Sequence, residues 1–150
     1  MPILEGRVME RVKGRTPALA DGEPTALLKR ARLLDREDRL LVELAVQGRL
    51  SRRKLGEIFH VPAGTVTRRV QRLAARLYDP IVIDLLDDTC PLGPEHRQIG
   101  IEHFLLRQSV RAIAAKHRMR EPLVRASLDF VRGWHGGLRA QRDWSRVGRR

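Results

Sequence analysis

Residues 35–77, which determine the fold class, have the sequence DREDRLLVELAVQGRLSRRKLGEIFHVPAGTVTRRVQRLAARL. They contain three helical patterns separated by short breaks. The first pattern follows Asp35 and ends near Gly48, a residue that suits a helix terminus. Its predicted buried stripe consists of Leu40, Leu41, Leu44 and Ala45. Helical spacing throughout this segment predicts three packed helices.

The second and third patterns meet at a short turn. Ser51 is predicted to cap a helix whose first turn holds Arg52, Arg53 and Lys54. The apolar side chains of that helix that point one way are Leu55, Ile58 and Phe59. Residues 60–62, His-Val-Pro, form the turn, and a third helix follows with the buried stripe Val66, Val70, Leu73 and Leu77. The opposite face carries Ala63, Thr67, Arg68, Gln71 and Arg72.

This spacing is typical of a DNA-binding helix-turn-helix. The small residue Gly56 lets the second helix approach the third closely, and Val61 in the turn fills the core between them. The segment also resembles region 4 of bacterial sigma-70-type sigma factors, especially the extracytoplasmic-function branch. The shared elements are the DRED opening at 35–38, the capping Ser51 and the VPAGTV turn at 61–66. The resemblance covers under a third of the chain.

The resemblance implies that the third helix lies in the major groove and that the second helix is anchored on phosphates. The residues expected to face bases are Ala63, Thr67, Arg68 and Gln71. Those expected to hold phosphates are Ser51, Arg52, Arg53, Arg69 and Arg72. Because the segment before the motif is too short for a promoter-melting domain, promoter initiation by this chain alone is not expected. The alternative is a trihelical unit that only packs against another surface.

A second copy of the motif appears when Ser51 is superimposed on Ser109, which predicts an internal duplication. Seven buried or capping positions keep their character there, namely Ser109, Ile113, Ala114, Met119, Val124, Leu128 and Val131. Its first helix is predicted from Ile101, Phe104 and Leu105, with a small gap in the alignment. The predicted DNA-binding residues of this copy are Ser109, Arg111, Arg120 and Arg125.

The second copy differs from the first at positions that pack the second helix or face DNA in the first copy. Lys116 and His117 replace the apolar pair of the second helix, and Asp129 would repel phosphate. Two interpretations stay open for this copy. It is a second DNA reader, or it is a helix-turn-helix used for holding the first copy or for homodimerisation through Phe130 and Trp134, which share one helix face.

The fold class predicted from these patterns is all-α, with two tandem trihelical helix-turn-helix units joined by an acidic, Pro-containing linker. The predicted boundaries are a loosely held or disordered N-terminal extension at 1–30, the first unit at 31–78, the linker at 79–93, the second unit at 94–135 and a basic C-terminal tail at 136–150. Within the linker, 81–86 is expected to be a short ordered piece.

Charge and composition agree with a polyanionic partner. The chain has 150 residues, a formal net charge of +12 and a pI near 11.4. Of its 30 cationic residues 26 are Arg, which suits phosphate and guanine but is also typical of a GC-rich genome. Residues 31–78 carry +6, residues 79–96 carry −5 and residues 97–150 carry +9. Two basic blocks therefore flank an acidic bridge.

Several classes of site are not expected. One cysteine, Cys90, allows neither an internal disulfide nor the paired thiols of a zinc finger. The side chains that resemble a metal site, Asp84, Asp87, Asp88, Cys90 and His96, lie in or beside the predicted linker and are expected to be solvated. No cofactor motif and no complete catalytic set is present, so the chain is not expected to be an enzyme. Without a long apolar run it is expected to be cytoplasmic.

The function predicted is sequence-specific binding of double-stranded DNA by a protein of bacterial or phage type, with a role in transcriptional regulation and association with the nucleoid. One alternative is a protein-interaction module that docks on RNA polymerase or another partner. Another alternative is a DNA-organising accessory of a phage or mobile element.

Overall fold

A computed structural model describes residues 24–148, and every regular element in that range is helical. The all-α prediction is therefore confirmed. The chain divides into two compact units, with the boundary between Tyr78 and Asp79. We call the described residues 24–78 the N-terminal unit and residues 79–148 the C-terminal unit.

The N-terminal unit has four helices. They are α1 (Pro24–Ala31), α2 (Arg36–Gln47), α3 (Arg52–Phe59) and α4 (Ala63–Leu77). Asp35 caps α2 by accepting from the amides of Glu37 and Asp38, each at 3.0 Å. Gly48 ends the same helix in the left-handed region, at φ 65°. Both termini lie where the sequence predicts them.

The C-terminal unit begins with a capped helix. Its elements are α5 (Pro80–Leu86), α6 (Pro94–Gly100), a π-helical segment (Ile101–Leu105), α7 (Val110–His117) and α8 (Glu121–Val147). The amide of Ile81 donates to Asp79 Oδ1 at 3.1 Å, which fixes the start of α5. A core cluster joins α6, α7 and α8 through Ile99, Ile113, Ala114, Val124 and Leu128.

The buried stripe predicted for α4 is confirmed, because Val66, Val70, Leu73 and Leu77 are all buried. The prediction for α2 is partly wrong. Leu41 is buried as predicted, but its neighbour Val42 is buried too, whereas Leu40 is 42% exposed. The reason is that α1 packs against α2, so that the buried face of α2 is rotated away from the predicted one. Helix α1 lies in the segment predicted to be an extension.

In α3 the predicted apolar face is also corrected. Leu55 and Gly56 are buried, Phe59 is half-buried and Ile58 is 48% exposed. Because the buried face is centred between Leu55 and Gly56, a residue two or three positions further along points away from it at 100° per residue.

The acidic linker predicted at 79–93 is wrong in its first half. Residues 80–86 form α5, and Ile81, Val82 and Leu85 are buried in the C-terminal unit. The Pro residue that suggests a break lies in the first turn of α5, where a missing N–H costs nothing. The ordered piece expected at 81–86 is confirmed.

The two predicted ends also need correction. Residues 24–30 belong to α1, while the rest of the predicted 1–30 extension lies outside the described residues. The C-terminal tail predicted at 136–150 is helical as far as Val147, because α8 continues through it. The second unit therefore extends beyond its predicted limits of 94 and 135. Within residues 24–148, no helix is both long and apolar enough to cross a membrane.

Candidate nucleic-acid interface

Helix α4 presents a continuous polar face opposite its buried stripe. Its exposed residues are Ala63, Gly64, Arg68, Gln71, Arg72 and Ala75. Thr67 is half-buried, and its hydroxyl donates to the carbonyl of Ala63 at 3.2 Å. Among residues 24–148, no ion pair engages Arg68 or Arg72. The face thus combines two exposed cations with one amide side chain.

The turn before α4 fixes the angle at which this face is presented. Gly56 is buried against the turn, and a Cβ on it would lie 2.5 Å from the carbonyl oxygen of Val61. The amide of Val61 donates to the carbonyl of Gly56 at 2.9 Å. A side chain at position 56 would therefore push α3 away from α4, in agreement with the sequence pattern.

The first turn of α3 holds a group of cations. Ser51 Oγ caps the helix by accepting from the amide of Lys54 at 3.2 Å. The Arg53 side chain is 88% exposed and forms a wide ion pair with Glu57 at 3.6 Å, whereas Arg52 is half-buried. The helix N-terminus adds partial positive charge at the same place. This end of α3 is therefore suited to an anion.

Arg69, predicted to hold a phosphate, lies on a different side of α4. It donates from Nη1 to Glu37 Oε1 and from Nε to Asp38 Oδ1, both at 2.8 Å. Mainly through the bond to Glu37, this contact raises the pKa of Arg69. Asp38 also lies 3.5 Å from Arg76 Nη2. Glu37 and Asp38 thus join α2 to α4, and Arg69 does not belong to the exposed face of α4.

The chain matches no protein-family model, no curated protein and no solved structure. The resemblance to sigma region 4 therefore rests on residues 35–77 alone.

The same local geometry recurs in the second copy. Ser109 Oγ caps α7 by accepting from the amide of Ala112 at 3.1 Å, as Ser51 caps α3. His60 has φ 55° and ψ 40°, and Arg118 has φ 54° and ψ 40°. In both copies the next residue donates to the carbonyl five residues earlier at 2.9 Å. Each short helix therefore turns into a long one through an equivalent left-handed residue.

The start of the second copy departs from the first by one residue. The left-handed residue Gly48 stands three positions before Ser51, but Arg107, at φ 58°, stands two before Ser109. The π-helical segment comes immediately before this shorter loop. These positions agree with the gap that the sequence alignment requires.

The face of α8 that corresponds to the polar face of α4 is not basic. Arg125 is paired with Glu121 at 3.3 Å, Asp129 is exposed and Phe130 is 54% exposed. The Phe130 ring lies 4.8 Å from the ring of His96. The other predicted contacts of this copy, Arg111 and Arg120, are exposed near the two ends of α7. The structure thus gathers fewer cations on this face than on α4.

A buried carboxylate that the sequence did not reveal lies behind α7. Glu102 is fully buried in the π-helical segment and accepts from Gln98 Nε2 at 3.0 Å. Lys116 Nζ donates to Glu102 Oε1, and His117 Nε2 lies 2.7 Å from Oε2. Burial raises the pKa of Glu102, but hydrogen bonds from Lys116, Gln98 and His117 together lower it overall. Lys116 and His117, which replace the apolar pair of α3, therefore bind this carboxylate.

A second buried carboxylate ties α5 to α8. Asp84 is 6% exposed, and its Oδ2 lies 2.8 Å from His135 Nδ1. Arg142 binds the same carboxylate with Nη2 at 2.8 Å from Oδ1, and this contact raises the pKa of Arg142. Part of the acidic bridge is thus neutralised inside the C-terminal unit.

The other acidic residues of the predicted linker, which lie within the described part of the chain, do not form a metal site. Asp87 accepts from the amide and the hydroxyl of Thr89, which lowers the pKa of Asp87. Across residues 24–148 there is no group of three or more metal-ligating side chains of the kind that holds a cation.

Proposed function

We propose that the N-terminal unit binds double-stranded DNA and reads sequence with α4 in the major groove. The main support for this proposal is the exposed face of α4, where Arg68, Gln71 and Arg72 stand together on a rigid helix. The major groove admits one α-helix, and Arg and Gln are the side chains that pair bidentately with guanine and adenine. Arg68 is proposed to contact guanine and Gln71 adenine, with Ala63 and Thr67 packed beside them.

The phosphate contacts are proposed to come from the start of α3 and from one side of α4. Arg53 and Arg52 lie in the first turn of α3, and Arg72 lies on the flank of α4. Backbone amides at a helix N-terminus and nearby guanidinium groups both favour a phosphate, so α3 is proposed to lie across the DNA backbone. Such contacts position the unit without selecting a sequence.

The net charge of the N-terminal segment supports this interpretation. Residues 31–78 carry +6, although Glu37 and Asp38 neutralise Arg69 within the fold. The cations left outside that contact concentrate on α3 and α4. A transcriptional regulator is the biological role proposed for a unit of this kind.

The test separates base reading from phosphate contact. Fluorescence anisotropy of the full chain with a selected duplex and with a scrambled one, each titrated at several salt concentrations, measures both. Arg68→Ala is expected to weaken binding to the selected duplex by about 1–3 kcal/mol and to change binding to the scrambled duplex little. Only the selected duplex loses the bidentate hydrogen bonds between Arg68 and guanine, so only its binding is weakened.

Arg52→Ala is expected to weaken binding to both duplexes equally and to lower the salt slope by about 1. Arg139→Ala, which removes an exposed charge from α8, serves as the control and is expected to leave the preference for the selected duplex unchanged. Equal, sequence-independent losses for Arg68→Ala and Arg52→Ala would contradict the assignment.

A further inference from the structure

A stripe of small and apolar residues runs along the outside of α8. Its members recur at intervals of three and four residues, and they are Leu123, Ala126, Phe130, Gly133, Gly137, Ala140, Trp144 and Val147. All eight are exposed. This is the spacing by which two helices pack along a common seam. We call these eight residues the α8 stripe.

The α8 stripe is distinct from the face that α8 buries in its own unit. That inner face contains Val124, Ser127, Leu128 and Val131. The large members of the stripe are instead left in water, with Leu123 55%, Phe130 54%, Trp144 77% and Val147 69% exposed. So many large apolar side chains along one helix mark an interaction surface.

The C-terminal part of α8 has little support from its own unit. The helix has 27 residues, against 15 in α4, and residues 139–148 are all exposed. Ala140, Trp144 and Val147, together with the acidic residue Asp143, line one shallow depression there. Because helices in proteins are stabilised mainly by packing of an apolar face, this extension indicates a partner along the stripe.

The order of large and small residues matches a second copy running in the opposite direction. With α8 paired about His135, Leu123 meets Val147, Ala126 meets Trp144 and Phe130 meets Ala140. Gly133 meets Gly137 at the centre. Every bulky ring thus faces a small residue, and no layer of the stripe holds two aromatic side chains. A parallel pair would instead stack Phe130 on Phe130 and Trp144 on Trp144 and leave empty glycine layers between them.

We propose that α8 forms an antiparallel pair with α8 of a second copy, making the chain a homodimer. The seam is up to about 40 Å long, from 27 residues at 1.5 Å each. It contains no charged residue. Asp129 and Asp143 border it on one side, where Arg132 binds Asp129 at 3.1 Å.

The homodimer does not depend on the DNA-binding proposal. In the alignment that places Ser109 on Ser51, Ala126, Phe130 and Gly133 occupy the positions of Arg68, Arg72 and Ala75. The same helix face therefore carries cations in the first copy and an apolar seam in the second. Of the two residues that the sequence predicts for homodimerisation, Phe130 belongs to the seam. Trp134 is half-buried and lies outside the eight positions.

The oligomeric state of the full chain tests the proposal. Sedimentation equilibrium is expected to give twice the chain mass of 17.2 kDa at micromolar concentration. Trp144→Glu is expected to raise the dissociation constant of the dimer at least roughly 30-fold, as for a truncated interface hot spot. Since Trp144 is 77% exposed, its replacement removes no core contact, and circular dichroism checks that the helices remain.

The matched control is Ser145→Glu, which adds the same charge one residue along and outside the seam. It is expected to leave the dissociation constant within a few-fold of its original value. A chain that stays monomeric at 100-fold higher concentration, or a dimer equally affected by both variants, would overturn the proposal.

The antiparallel direction of the two α8 helices is tested by cysteine cross-linking in a Cys90→Ser background. Leu123→Cys and Val147→Cys chains are expected to form a disulfide only when they are mixed, because positions 123 of the two copies are about 36 Å apart in an antiparallel pair. Disulfides within each separate preparation would indicate a parallel pair and would overturn the proposal.

Discussion

Lys116 and His117 show why single residues in the second copy resist interpretation from the sequence. Their counterparts Ile58 and Phe59 are apolar, so the change indicates only a weaker helix anchor. In the structure both side chains meet Glu102, which lies 14 and 15 residues away. The caps Ser51 and Ser109 are predictable because a cap involves residues three apart, whereas this network joins separate helices.

Glu102→Gln is expected to destabilise the C-terminal unit by about 2 kcal/mol at neutral pH, since hydrogen bonds to a charged group contribute about 1.5–3 kcal/mol each. The pKa of folded Glu102 lies below its ordinary value of 4.5, so the ionised group stabilises the fold above that pH. This contribution is lost as the pH falls through the lowered pKa. The variant should therefore differ less from the original chain at pH 3 than at pH 6.

Both tryptophans, Trp134 and Trp144, lie in the C-terminal unit, so denaturant unfolding followed by tryptophan fluorescence at fixed protein concentration measures this difference. Glu121→Gln is the control, because Glu121 pairs with Arg125 at the surface and should change the free energy of unfolding by under about 1 kcal/mol. If Glu102→Gln left the pH dependence of unfolding unchanged, the role assigned to the carboxylate would be wrong.

Among the helices, α3, α4 and α7 start where the sequence predicts, because α3 and α7 begin at a capping Ser and α4 follows Pro62 after a short turn. Helix α2 is predicted less well, since its buried face depends on α1. The prediction also fails for residues 136–147, where Gly and charged residues indicate a tail but α8 continues. An exposed helix face supplies no burial pattern, so the sequence gives no sign that the helix continues there.

Gly56→Ala is expected to destabilise the N-terminal unit by about 1–3 kcal/mol, although Ala normally favours a helix. The new Cβ would meet the Val61 carbonyl oxygen at 2.5 Å, and backbone must move to relieve the contact. Gly64→Ala is the matched control. Its Cβ meets nothing within 4 Å, so the substitution should be neutral or stabilise by up to about 1 kcal/mol.

Amide hydrogen exchange within residues 24–78 measures these two effects separately from the C-terminal unit. Equal stability of both variants would show that the close approach of α3 to α4 does not depend on position 56.

For the whole molecule, the sequence predicts two units and the end of the first unit at residue 78, but it places the start of the second unit at 94 instead of 79. The division falls between Tyr78 and Asp79, and the acidic segment belongs largely to the second unit. The Asp79-Pro80 pair is itself a helix-start signal, with a capping carboxylate followed by Pro in the first turn. Interpreting Pro80 as a breaker conceals that signal.

The cations that give the chain its net charge of +12 are placed differently in the two units. In the N-terminal unit exposed Arg residues share a face with Gln71, which is why we assign sequence reading there. In the C-terminal unit Arg142 and Lys116 are held by buried carboxylates, and the face of α8 equivalent to the exposed face of α4 is not basic. We therefore propose DNA reading for one unit and pairing of chains for the other.

Sequence reading by α4 is tested most directly by selection of bound duplexes by the full chain from a random pool at near-physiological salt. We expect enrichment of a defined motif, and we expect Arg68→Ala to select a motif with relaxed preference at one guanine. Enrichment of no motif, with binding that depends on salt alone, would contradict sequence reading by α4.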